Sequence, residues 1–282
     1  VNAAPFSATQ DGDWLVGPWR APHNIARHAA GTIHDDATAN ALGLRGGTVA
    51  GSIHMEQCTP LLAQHFGPDW LKRGGLSLYF RNATQDGEPV QARLHAAGQT
   101  TAIELRDQAG AVIAEGSASL GPDPNSALRQ RLVKAAPPKD VRILAGVRIG
   151  ADVEQRDVVI SRALLNAHLP RITERHSSYD QVGALPYNLE IDLLRAAEHL
   201  LAPLPLGVVG LYGAIEVQAL AGPLLADNRY RVQARAVGLG ETPQTEVLWH
   251  EAEAIDSTGA VVCAMLMMSR VMKASSPLWR SA

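Results

Sequence analysis

Cysteine is scarce in this chain, and that scarcity narrows its class. Cys58 and Cys263 are the only two in 282 residues. They lie far apart in apolar segments, which excludes a disulfide-stapled scaffold and matches reduced core thiols in a cytoplasmic protein. No Cys/His cluster has zinc spacing, so neither a metal nor a cofactor is expected. An excess of one charge is missing too: 25 Lys and Arg stand against 28 Asp and Glu, a net charge of −3, with no basic block and no acidic tail. Nucleic acid is therefore excluded as the main partner. No apolar run reaches the roughly 18 residues that span a bilayer. The N-terminal stretch "VNAAPFSATQDGDW" lacks the charged and apolar regions of a secretory leader, so neither export nor a membrane is expected.

What the chain does have is apolar content, 46% of its residues, enough for a sizeable core. Its length is comfortable for two domains of about 140 residues. An internal repeat supports that division. "VQARLHAAGQTTAIELRDQAGAVIAEGSASL" begins at Val90, and "VQARAVGLGETPQTEVLWHEAEAIDSTGAVVCAMLMMSR" begins at Val232. The Val-Gln-Ala-Arg blocks are 142 residues apart, and the turns at Asp107 and Asp256 are 149 apart. A seven-residue difference in the intervening hairpin accounts for the shift. Two matches in one order indicate a duplicated domain.

Periodicity agrees with the repeat. Val90, Ala92 and Leu94 alternate with polar neighbours, as do Tyr230, Val232, Ala234 and Ala236, which predicts half-buried strands. Leu76, Leu78 and Phe80 mark another strand, with 208–218 as its counterpart. Asp-Gln-Ala-Gly and Asp-Ser-Thr-Gly read as hairpin turns. One helical pattern precedes the strands in each half. Residues 188–201 place Leu189, Leu193, Ala197 and Leu200 on one face, and 52–66 do the same with Met55, Cys58, Leu62 and Phe66. Pro60 predicts a kink or an early break in the latter. Residues 121–145 hold four prolines and no sustained period, and 126–145 reads as the linker between units 1–125 and 146–282. The class is α+β with antiparallel sheets.

A helix followed by a curled antiparallel sheet, twice in one chain, resembles the double hotdog fold. The stretch "IHDDATANALGLRGGTVAG" (33–51) is similar to the signature loop of the MaoC-like, (R)-specific enoyl-CoA hydratases. His34 occupies the histidine position, Ala37, Ala39 and Ala41 the short helix, Gly43 the turn, and Gly51 the start of the hotdog helix. The resemblance implies a lyase that adds or removes water across a double bond conjugated to an acyl thioester, such as an acyl-CoA. It implies a catalytic set of His34, Gly51 and Asp36, with Asp35, Arg45, Gly47 and His54 around the substrate. Such a chain is expected as a monomeric double hotdog or a homodimer.

The chemistry needs these residue types. Hydration requires a base for water and an acid for the α-carbon, and histidine titrates near neutral pH. An enolate forms on the thioester oxygen, where a backbone N–H at a helix start can meet it, and glycine there lets the carbonyl approach. The sequence departs from the family at the acid: the Asp five residues before the histidine falls on Ala29, its Asn-Pro on Gly31-Thr32, and a second His on Ala50. Asp35 and Asp36 also suit the cap of the short helix. His176, Tyr179 and Asp180 stand at the equivalent place in the second half, as a second site or a degenerate copy. A thioesterase using Glu56, Gln57 and Thr59 is one alternative, and a non-catalytic acyl-binding subunit is another. Arg20, Lys72, Arg73 and Arg81 read first as surface charges and second as contacts to the phosphates of coenzyme A, "RGG" at 45–47 as a turn, and the five tryptophans as core or interface anchors.

Overall fold

The period-two segments become strands of one eleven-stranded antiparallel sheet in a computed structural model that describes residues 6–95, 100–150 and 155–279. In chain order the strands are β1 (Thr9–Asp11), β2 (Trp14–Arg20), β3 (Gly74–Phe80), β4 (Val90–His95), β5 (Thr100–Asp107), β6 (Val112–Leu120), β7 (Arg156–Val159), β8 (Gly210–Ala219), β9 (Arg229–Glu241), β10 (Thr245–Ile255) and β11 (Val261–Met272). In space they run β1-β2-β4-β5-β6-β3-β8-β11-β10-β9-β7. Outward from the β3–β8 pair, β3-β6-β5-β4-β2 on one side matches β8-β11-β10-β9-β7 on the other, so the halves share one strand order. The Val-Gln-Ala-Arg blocks fall on the corresponding strands β4 and β9. The Asp/Gly turns close β5–β6 and β10–β11, with Asp107 N to Ala111 O and Asp256 N to Ala260 O both at 3.0 Å. The repeat changes length between β4 and β5, at 96–99, which lie outside the described residues.

The helices are α1 (Asp36–Ala41), α2 (Gly51–Glu56), α3 (Thr59–Phe66), α4 (Trp70–Arg73), α5 (Ala127–Val133), α6 (Arg162–His168), α7 (Ser177–Gln181), α8 (Tyr187–Leu194) and α9 (Glu198–Leu201). The apolar faces read from the sequence are the ones buried. Met55, Cys58, Leu61 and Leu62 from one half and Ile191, Leu193 and Leu194 from the other are fully buried in a single core shared by both halves. None of these helices is long and apolar enough to cross a membrane. The break expected near Pro60 occurs: α2 stops at Glu56, and Pro60 sits in the first turn of α3, where its missing N–H leaves no bond unmade. The run 188–201 differs from the single helix expected. It tightens to a 3₁₀ turn at Arg195–Ala197, a geometry that eclipses positions three apart and joins Arg195 to Glu198. Arg20 also differs: its side chain is 11% exposed and ion-paired to Glu174 across the two halves. Trp70 and Trp249 are buried as anchors, whereas Trp19 is 42% exposed.

The stretch expected to be only a linker holds α5, whose seven residues are too few to show a period. Ser126 caps it by accepting Arg129 N. Ala127 N and Leu128 N donate to Ser117 Oγ (2.9 Å) and Ser77 Oγ (3.0 Å), so the sheet supplies acceptors that a helix start otherwise lacks. Glu216 on β8 binds both Ser126 and Arg129. Leu128 is thereby driven against Ala214, Trp249, Leu266 and Met268 on the face opposite the main core. Leu128→Ala is expected to cost about 2–5 kcal/mol in urea unfolding, and Val133→Ala, at a residue 85% exposed, less than about 0.5 kcal/mol. Equal effects would show that α5 does not dock on the β3–β8 seam.

Candidate active site

The chain crosses itself before α2 begins, and the crossing fixes His34. Thr48 N donates to Ile33 O at 2.9 Å, and Asn24 Nδ2 to His34 O at 2.8 Å. Gly47 is required here because a Cβ would collide with the His34 carbonyl. Its N–H donates to Asp36 Oδ1 at 2.8 Å. Asp35 caps α1, accepting Thr38 N at 2.9 Å and Thr32 N at 3.2 Å, and the Thr38 bond holds its carboxyl below the usual range. The adjacent acids therefore tie the loop that carries the histidine.

His34 is half-buried, with Nδ1 2.7 Å from the Thr48 carbonyl oxygen. A carbonyl only accepts, so Nδ1 carries the proton and Nε2 keeps a free lone pair. Gly51 opens α2 behind Ala50, which offers no side-chain cap, and no described residue accepts from the Gly51 N–H. The Phe80 ring lies 2.6 Å from where a Cβ on Gly51 would stand, so this contact requires glycine.

His34 and Gly51 line one cavity of about 760 Å³, within the usual size of a small-molecule site. It lies where the two halves part. The β3–β8 ladder ends at the pair Tyr79 and Ala214, and Phe80, Arg81, Leu211 and Tyr212 beyond it form cavity wall. The second half adds Arg195, Glu198, His199 and Ser269.

Of the residues nominated by the sequence, His34, Gly51 and His54 meet at this cavity. His54 is wall rather than reagent: Nδ1 lies 3.0 Å from Gln57 Oε1 and Nε2 2.8 Å from Thr84 Oγ1, and burial lowers its pKa. Asp35, Asp36 and Gly47 hold the loop instead of facing the cavity. Arg45 is spent on Glu88, at 2.7 and 2.8 Å, in a separate groove. Glu56, Gln57 and Thr59 are buried off the cavity, Glu56 against His168 (3.1 Å) and Asn188 N (2.9 Å).

The sequence reading missed the second half's contribution. Of Asp192, Arg195 and His199, spaced three and four apart, Arg195 and His199 line the cavity and Asp192 does not. Arg195 bonds Glu198 and Tyr212. Burial pushes the Glu198 carboxyl up, but Arg195, His250 and a 2.9 Å bond from Ser269 bring it below its ordinary value, so it stays ionised. Asp192 behaves oppositely. Its side chain is accessible, no described residue bonds it, and desolvation outweighs the pull of Arg195 and His168 to raise its pKa.

No protein-family model and no curated protein matches this sequence. Solved structures match it in fold along nearly the whole chain. A protein described as a MaoC-domain dehydratase from Chloroflexus aurantiacus superposes with a TM-score of 0.61 at 14% identity, covering 94% of this chain and 95% of that one. The dehydratase domain of PpsC from Mycobacterium tuberculosis, in complex with C12:1-CoA, gives 0.53 at 11%, covering 94% and 97%. A conserved double-hotdog protein from the same organism gives 0.54 at 11%, covering 95% and 97%. The chain has the double hotdog fold. Identities this low carry the fold and nothing finer.

Within the double hotdog the two copies can be matched residue by residue at the helix start. Val49 N bonds Thr84 O, and Leu185 N bonds Leu224 O, which aligns Gly51 with Tyr187. Asp35 and His176 both cap the short helix that follows, so the counterpart of His34 is Arg175, which is paired to Asp180. His176 therefore copies a cap and not the cavity histidine. The second copy's space is filled by Tyr179 and Tyr187, leaving a void of about 30 Å³ beside Glu190. Burial pushes the Glu190 carboxyl up to about 7, against a 3.4 Å contact from Cys263 Sγ. A carboxyl whose pKa is raised on folding contributes stability that is complete below its ordinary value and fades as pH rises through the folded value. Glu190→Gln is thus expected to gain on the parent protein by about 3 kcal/mol between pH 5 and pH 8. Melts of both proteins at the two pH values check it, and a constant difference would mean that Glu190 is not held protonated.

Proposed function

We propose that the protein is a hydratase or dehydratase acting on an α,β-unsaturated acyl thioester, most simply an acyl-CoA. The observation that carries the reading is the pairing, in one cavity, of an imidazole with Nδ1 pinned and Nε2 free and a backbone N–H without an acceptor. In the hydration direction His34 Nε2 takes a proton from water. The water oxygen bonds the β-carbon while the π electrons move to the thioester oxygen, and Gly51 N–H meets the charge that develops there. The protonated Nε2 then gives that proton to the α-carbon, so His34 serves as base and acid in turn where the family's acid falls on Ala29. Asp36 positions the His34 loop. Hydrolysis is the weaker reading because Glu56, Gln57 and Thr59 lie off the cavity.

Incubation with a panel of enoyl-CoA thioesters tests the reading: loss of enoyl absorbance marks hydration, free thiol marks hydrolysis, and neither marks a binding subunit. His34→Ala is expected to lower turnover by about 10²–10⁴-fold with the melt unchanged. Asp36→Asn retains an oxygen for the Gly47 N–H and costs far less. Normal turnover in His34→Ala would remove the mechanism.

A further inference from the structure

The cavity runs from His34 and Gly51 in the first half into the second, where its wall turns apolar at Ala202, Leu204, Leu248 and Val271. Leu144 also stands in this wall. Leu144 belongs to the segment between the halves, is 1% exposed, and packs on Leu248 and Val271. Its position depends on one carboxylate. Glu246, wholly buried on β10, accepts Arg142 N and Ile143 N at 2.9 Å through Oε1, and Ile143 N at 3.1 Å and Leu144 N at 2.8 Å through Oε2. Trp279 Nε1 donates to the same Oε1 at 2.6 Å. Three consecutive backbone N–H groups closed on a buried carboxylate make a rigid seat, and Leu144 is the side chain that the seat aims at the cavity.

We propose that Leu144 sets the length of the acyl group that the cavity admits, an inference that rests on the acyl-thioester reading above. Leu248 and Val271 are held by ladder bonds along whole strands. Leu144 closes the same end from an irregular segment, so a chain that reaches it must stop or displace a residue clamped by Glu246. A carboxylate rather than an amide suits that seat, because it accepts from every N–H that converges on it and has no hydrogen to clash with one.

Binding of saturated acyl-CoA thioesters, from butanoyl upward, reads the length limit without any turnover. For the parent protein, affinity is expected to rise by about fourfold per methylene until a break, and then to stop rising. Leu144→Ala moves the break to longer chains, so that the first chain beyond the parent's break by two methylenes binds roughly tenfold tighter than it does to the parent. Ala202→Leu, at a half-buried wall residue packed on the same apolar cluster, moves the break to shorter chains. The opposite directions guard against reading a loss of folding as a change in length. An unmoved break in both variants, or no break in the parent, overturns the role of Leu144 and leaves the enoyl-CoA assay to judge the reaction. If no acyl-CoA of any length binds to a protein that melts cooperatively, this inference and the acyl-thioester reading fail together.

Discussion

The antiparallel ladder between β3 and β8 is the constraint on which the rest depends. Each half alone would leave a strand edge open, and an open edge invites pairing with another chain. Joining the halves at these edges closes both and merges two cores into one. It also fixes the relation between the helix of one half and the loop of the other. The cavity begins where the ladder ends, so a slip of one residue in that register would turn inward-facing Leu76 and Leu78 outward and take the mouth of the cavity with them. Helix α5 bears on the same seam from outside through Ser77, Ser117 and Glu216.

Much of this was legible from the sequence, for reasons that particular residues make plain. Val90, Ala92 and Leu94 alternate because one face of β4 meets core, and the same alternation on β9 exposed the repeat. The loop at 33–51 was legible because a crossing that tolerates no Cβ at position 47 must show a glycine there. Less was visible where the cause is tertiary. Helix α5 is short and owes its existence to hydroxyls on the sheet, which no local pattern carries. The 3₁₀ turn at Arg195–Ala197 is tied to an ion pair formed only in the folded chain.

At the cavity, the sequence reading nominated residues of the loop and none of the far-half residues that line it. His34 and Gly51 stand in a recognisable string. Arg195 stands 161 positions after His34 in the numbering, and nothing local ties the two. Asp35 and Asp36 attracted a chemical reading because acids beside a histidine suggest proton transfer. Their oxygens instead hold N–H groups of Thr32, Thr38 and Gly47. A carboxylate that accepts backbone bonds is being used as structure.

Tyr187 stands in one copy where Gly51 stands in the other, and that contrast has an evolutionary consequence. In an assembly of two identical chains every substitution is made twice, so a tyrosine that fills one site would fill both. A single gene spanning both copies counts each change once. One copy could then lose its cavity while the other kept its own, with Tyr179 and Tyr187 filling the space beside the buried carboxyl of Glu190.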